Sequence, residues 1–246
     1  MMTELILVEG VSDVQLISYY LQNVYGWTHE RENTLGIEPF DEHEHIESLS
    51  KNGNQVVLCG VGGNGKFAHF VEQHRINYIV VEKEISSLVV VTDRDESLDE
   101  NVRRVINSSL EKISVNANQW KDNVIEDSFG QTKHINTYLL IIPAHENGAL
   151  ERVIIDALND IPEENALIQE VEQFIDALKA GLLPTLKQTN NANKATVGTF
   201  FSVRYPKMAM RSFGVFVSKL DWSKSVSLNQ LFLPFQCLGE DKPLGN

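Results

Sequence analysis

The sequence predicts an α/β fold, a mostly parallel sheet flanked by helices, with a C-terminal helical extension. Three observations carry this prediction. Short apolar runs at residues 5–8, 56–59, 88–91 and 138–142 lack polar alternation, as strands buried on both faces do. A glycine or an acid comes within two residues of the first three runs, and apolar positions at helical spacing come next, the signature of strand–helix units. Beyond residue 160 helical spacing dominates. The expected division is an α/β domain over 1–160 and a helical extension over 161–246, packed on or near the active-site edge.

The first strand, Leu5-Ile6-Leu7-Val8, ends in Glu9-Gly10 and leads to Val11, Val14, Ile17, Leu21 and Val24 on one helical face. Glu9 thus stands at the strand's carboxyl edge. Asp13 falls in the first helical turn, where it can face the same crevice or serve the helix dipole. Residues 27–54 read as a polar, acidic insertion whose Glu42-His43-Glu44-His45 lacks further ligands at supporting spacing. After the strand at 55–59, the run Gly60-Val61-Gly62-Gly63-Asn64-Gly65-Lys66 matches a phosphate-cradling loop, but Phe67 stands where a hydroxyl should hold Mg²⁺. The commoner reading is a glycine turn over the sheet edge, with Phe67, Phe70 and Val71 opening a core-facing helix.

The strand at 88–91 ends in Thr92-Asp93-Arg94-Asp95. Residues two apart in extended chain point the same way, so Asp93 and Asp95 are expected to converge. Open α/β sheets place ligands at that edge, and paired hard oxygens suit Mg²⁺ or Mn²⁺. A strand end followed by a capping box at Ser97-Leu98-Asp99-Glu100 is the plainer alternative. Val102, Val105, Ile106 and Leu110 predict a helix, and Phe129-Gly130-Gln131 a hairpin turn. Tyr138-Leu139-Leu140-Ile141-Ile142 is a strand stopped by Pro143. Leu150, Val153, Ile154 and Leu158 form the next stripe, leaving Glu151 off it, either facing the acidic edge or capping the helix on its surface. Leu167, Val171, Phe174, Ile175 and Leu178 face the core from another helix, ended by Gly181. The Thr/Asn-rich stretch 188–196 reads as a loop, 207–217 as a helix, and 228–232 as a short apolar element.

Hydrophobic content is 42%, and no apolar run approaches the roughly 20 residues of a membrane span. The start, Met1-Met2-Thr3-Glu4, lacks the basic region of a signal peptide, so a cytoplasmic protein without membrane association is expected. Cys59 and Cys237 are too few for a disulfide scaffold or a Cys-type zinc site. The net charge of −13 argues against nucleic-acid binding over the whole surface. One segment departs from this: Arg204, Lys207, Arg211, Lys219 and Lys224 face only Asp221 between residues 200 and 224, either a phosphate-binding patch or a solvated helix face.

The order of these elements resembles the Toprim domain of topoisomerases, primases and nucleases. Val8-Glu9-Gly10 stands for its glutamate and Thr92-Asp93-Arg94-Asp95 for its acidic pair. Asp13, the Gly62-Gly63 turn, the Leu150-Glu151 step and Lys207 look more like the branch in OLD (overcoming lysogenisation defect) nucleases and small stand-alone Toprim-like proteins. The resemblance covers most of the chain through Leu158 and, more loosely, the helical remainder. It implies a Rossmann-like sheet and a Mg²⁺- or Mn²⁺-dependent nuclease using two ions, with nucleic acid, DNA or RNA, as substrate. Glu9, Asp13, Asp93, Asp95 and Glu151 would be the metal ligands, Glu9 also a general acid or base, and Lys207 a catalytic cation; Arg204, Lys207 and Arg211 would meet substrate phosphate. A cleavage domain, a zinc module and an ATPase half are lacking, so strand passage and primer synthesis are not expected and a separate ATPase or other protein partner is. Three other readings stay open: a metal- and phosphate-binding sensor that does not cleave, an Asp-x-Asp phosphatase with Asp93 as nucleophile, and a degenerate P-loop nucleotide binder using Lys66.

Overall fold

A computed structural model describes residues 2–63, 65–83, 85–181, 183–209 and 211–240. These residues fall into two compact units, one within Met1–Asp93, Ser97–Ile141 and Pro234–Asn246, the other within Arg94–Glu96 and Ile142–Leu233. The long α5 helix (Leu150–Asp160), which the sequence reading grouped with the sheet, belongs to the second unit.

The first unit is built on a mixed seven-stranded sheet of β1 (Thr3–Val8), β2 (Thr28–Glu30), β3 (His45–Lys51), β4 (Asn54–Gly60), β5 (Ile85–Asp93), β6 (Lys121–Glu126) and β7 (Thr132–Ile142), in the order β2-β3-β4-β1-β5-β7-β6. β1 runs parallel to both neighbours, β4 and β5, while β2–β3, β3–β4 and β6–β7 pair antiparallel. The apolar runs at 5–8, 56–59 and 88–91 therefore lie side by side at the centre. Residues of both parities on β1 are sealed from water: Leu5 and Leu7 join the cluster containing Phe70, Ile76 and Leu139, and Ile6 and Val8 are buried too. Burial on both faces removes any reason for polar alternation.

Around the sheet lie α1 (Val11–Asn23), α2 (Phe67–Gln73), α3 (Ile76–Glu82) and α4 (Asp99–Ser109). Val14, Ile17, Tyr20 and Leu21 form the buried stripe of α1. The insertion at 27–54 is more ordered than its polarity suggests, since it supplies β2, β3 and the buried Leu35 and Ile37. There Glu44 is no solvated acid: its Oε2 meets His74 Nε2 at 2.9 Å and accepts from the Phe40 amide at 2.8 Å, with both ionisable side chains under 5% exposed. The hairpin expected near Phe129 joins β6 to β7. Val105, read as core, is 61% exposed, and only Ile106 of α4 is buried.

The tail closes onto the same sheet. Phe235 and Leu238 are buried, and Gly239 donates its amide to Glu4 Oε1 at 2.5 Å while its carbonyl accepts from Asn54 Nδ2 at 3.0 Å. Ser87 Oγ donates to Glu4 Oε2 at 2.6 Å, so a fully buried carboxylate on β1 is solvated by hydrogen bonds instead of water.

The second unit is helical: α5, α6 (Pro162–Gly181), α7 (Thr189–Arg204), α8 (Phe213–Val217) and α9 (Val226–Leu231), with single 3₁₀ turns at Pro184–Lys187, Pro206–Met208 and Trp222–Lys224. In α6 the buried positions Glu164, Ile168, Val171 and Ile175 recur at four-three-four spacing, which leaves Phe174 on the flank, 54% exposed rather than in the core. Two expectations are corrected. The Thr/Asn-rich stretch is the start of α7, which buries Ala192, Asn193 and Thr196, and the helix expected at 207–217 is a 3₁₀ turn followed by the short α8.

Candidate metal and phosphate site

Parallel pairing of β1 with β5, with Val8 opposite Val91, sets Glu9 beside Thr92 at the carboxyl ends of two central strands. Thr92 Oγ1 donates to Glu9 Oε1 at 2.6 Å and the Asp93 amide donates to the same oxygen at 2.9 Å. Glu9 is 8% exposed, so these bonds hold an acid in a largely dry position. Asp13 Oδ2 accepts from the Gly10 amide at 2.9 Å, tying the first turn of α1 to the residue after Glu9. Within the first unit, hydrogen bonds thus link Glu9 directly to Asp93 and join Asp13 to the adjoining turn.

Glycines ease this approach. A Cβ at Gly60 would stand 3.2 Å from the Gly10 carbonyl carbon and oxygen and from Val14, so a side chain there would crowd the Glu9-Gly10 turn and push it back by a few tenths of an ångström. Gly62 and Gly63 adopt φ of 92° and 120°, and the Gly63 amide donates to the Glu9 carbonyl at 2.7 Å. The glycine run is therefore a turn over the sheet edge, and an amide that a phosphate cradle would use is spent on Glu9. Asn64 of that motif lies outside the described residues.

In the second unit, Arg94 and Asp95 fasten the loop that precedes α5. The Arg94 amide donates to Ile142 O at 2.6 Å, its Nε to Pro143 O at 3.0 Å and its Nη2 to Ala144 O at 2.8 Å. Asp95 and Gly148 exchange backbone hydrogen bonds of 2.7 and 3.0 Å, three residues before Glu151 in the first turn of α5. Asn190 Nδ2, from the first turn of α7, donates to Asp95 Oδ1 at 2.7 Å. β5 ends at Asp93 and Asp95 has a left-handed φ of 50°, so strand alternation does not reach Asp95 and cannot be the reason for a shared direction. Thr92, Arg94 and Asn190 were not picked out as contributors from sequence; a hydroxyl, a guanidinium and an amide become legible only once their long-range partners are known.

The basic segment is divided in its uses. Arg204, read as a phosphate ligand, instead donates Nε and Nη2 to the two carboxylate oxygens of buried Glu164 at 2.8 and 3.1 Å. That hydrogen bonding raises the pKa of an already strong base, with burial opposing it. Lys207, in the Pro206–Met208 turn, and Arg211 are exposed.

Among the described residues, no three His, Cys, Asp or Glu side chains form a ready-made metal cluster. Mg²⁺ does not require one, since it keeps several waters and is held by one or two carboxylates plus substrate phosphate. The chemistry of the donor set, hard carboxylate oxygens, fits Mg²⁺ or Mn²⁺. No helix among the described residues is long and apolar enough to cross a membrane.

A family described as "Protein of unknown function (DUF3226)" has a sequence model that matches residues 3–233. No curated protein matches the chain. The crystal structure of hypothetical protein PH0156 from Pyrococcus horikoshii OT3 is similar at 16% identity with a TM-score of 0.44, covering 89% of this chain and 96% of that one, a likeness too slight to carry an argument.

Proposed function

The chain belongs to the DUF3226 family, and from the acids at its strand ends we propose that it is a Mg²⁺- or Mn²⁺-dependent nuclease of the Toprim kind, hydrolysing phosphodiester bonds of DNA or RNA. The observation that carries the reading is Glu9, held largely dry at the end of β1 by Thr92 and Asp93 at the end of β5. Surface acids need no such support. Two divalent ions roughly 4 Å apart supply charge neutralisation, an activated water and a stabilised leaving oxygen to such a reaction. Asp93 and Asp95, two residues apart in the chain, are the proposed donors to one ion, and Glu9 and Asp13 to a second or to the attacking water. The Glu9 carboxylate, anchored through Oε1 by two donors, is the proposed general acid or base. A separate protein, an ATPase by analogy with OLD nucleases, is the proposed partner that delivers substrate.

The test is cleavage of single- and double-stranded DNA and RNA by the purified chain with Mg²⁺ or Mn²⁺. Glu9→Gln and Asp93→Asn are expected to lower the rate by about 10²–10⁴, and chelation to abolish it. Activity that survives Asp93→Ala combined with Asp95→Ala overturns the site. Binding of metal and oligonucleotide with no product would identify a sensor instead, and a phosphoaspartate trapped at Asp93 a phosphatase.

A further inference from the structure

Between the 143–146 loop, α5 and α9, within the second unit, lies a cleft of about 230 Å³. Pro143, Val153 and Leu231 supply apolar walls, while Asp156, Ser227 and Gln230 place polar groups at it. Ligand pockets for whole drug-sized molecules run to roughly 300–1,000 Å³, so this cleft suits one ring system with the remainder of the ligand outside. Its electrostatics select further. Arg152 is surrounded by carboxylates, with Nε 2.9 Å from Glu146, Nη2 2.6 Å from Asp156 and Nη1 3.8 Å from Glu172. Three acids around one cation disfavour a phosphate and favour a neutral group that donates hydrogen bonds. Among the described residues the exposed Gln230 amide has no hydrogen-bond partner, so it can offer a donor and an acceptor to a planar edge.

From this combination we propose that the cleft binds one unstacked nucleobase of a single strand, with the ring between the apolar walls and an amino-bearing edge read by Gln230 and Asp156. The inference rests on the nuclease reading for its choice of ligand. Its place in the chain supports that link, because the loop forming one wall is the one Arg94 clamps and Gly148 joins to Asp95. Adenine, cytosine and guanine carry an exocyclic amine for the carboxylate; thymine and uracil do not. Unstacked bases are commonly held in this manner, by apolar faces and edge hydrogen bonds.

The experiment measures fluorescence anisotropy of end-labelled dA₁₀, dC₁₀, dT₁₀ and rA₁₀ with the full chain in Ca²⁺, and cleavage of the same strands in Mg²⁺. dA₁₀ and dC₁₀ are expected to bind several-fold more tightly than dT₁₀; rA₁₀ against dA₁₀ separates RNA from DNA as the source of the base. Gln230→Ala should weaken dA₁₀ binding by about threefold to tenfold, the loss of one neutral hydrogen bond, with dT₁₀ nearly unchanged. Leu231→Trp, which fills the cleft, should erase the preference, circular dichroism confirming the fold of both variants. Equal affinity for all strands, or preference unaffected by both variants, overturns the subsite. Cleavage without base preference sinks the subsite and leaves the nuclease; base-selective binding without cleavage sinks the nuclease and leaves the subsite.

Discussion

Asp95 combines a backbone conformation that L-residues disfavour with a side chain held by Asn190. A left-handed φ costs roughly 1–2 kcal/mol for most residues, less for Asp and Asn. Asp95→Asn therefore keeps the backbone preference and an oxygen for Asn190 and removes the charge, whereas Asp95→Ala adds strain and loses that oxygen as well. In urea denaturation the Ala variant is expected to be the less stable by about 2 kcal/mol, strain and lost hydrogen bond together; equal midpoints would show that neither the left-handed turn nor the Asn190 bond contributes. Asn190→Ala should cost about 1.5–3 kcal/mol, the range for a hydrogen bond to a charged group. Away from the acidic edge, Glu44 and His74 form a buried pair flanked by Phe40 and Phe70, whose ring centroids lie 4.7 and 4.1 Å from the imidazole. Removing one member leaves a buried polar group without this hydrogen bond, so His74→Ala is predicted to lose about 1–3 kcal/mol, read from the same midpoints. A loss under 1 kcal/mol would mean that the pair is hydrated.

At the scale of elements, α9 is attached to the end of α5 through Asp160, whose Oδ2 accepts from Ser227 N at 2.7 Å and Ser225 Oγ at 3.1 Å. Burial alone would raise this carboxyl, but the hydrogen bonds from Ser227 and Ser225 outweigh it and hold its pKa below the usual value. A depressed folded pKa contributes stability above the unfolded pKa, about 3.9, and that contribution is lost as pH falls through the folded value. The attachment of α9 should therefore weaken only in strong acid, and Asp160→Asn should flatten that limb of a Tm-against-pH profile. The helices also show where sequence reading ran out. The four central strands were legible because burial on both faces leaves uninterrupted apolar runs, and Glu9 and Asp93 because those runs end in acids. The start of α7 was not, because Thr and Asn have weak helix propensity and its buried Asn193 and Thr196 do not register as an apolar stripe. Arg204 looked available because its partner, Glu164, stands 40 positions earlier on another helix.

For the molecule as a whole, the chain leaves the sheet unit for the helical one and returns, so neither contiguous half contains a complete unit. The expected division at 160 followed a change in periodicity, and periodicity reports element type, not which elements pack together. A chain ending at Leu233 would lack Phe235 and Leu238, each worth about 1.5–3 kcal/mol of buried side chain, and the Gly239 donor to Glu4. It is predicted to show a lower urea midpoint with loss of first-unit structure, followed by hydrogen exchange at β1; unchanged protection there would show the tail to be dispensable.

That returning tail also bears on synthesis. Glu4 and Gly239 are separated by 235 positions, so a ribosome adding roughly 5–20 residues per second makes the first strand at least ten seconds, and up to about fifty, before this hydrogen-bond donor exists. During that interval the Glu4 side chain waits in the nascent chain without this donor, which only translation of the tail supplies.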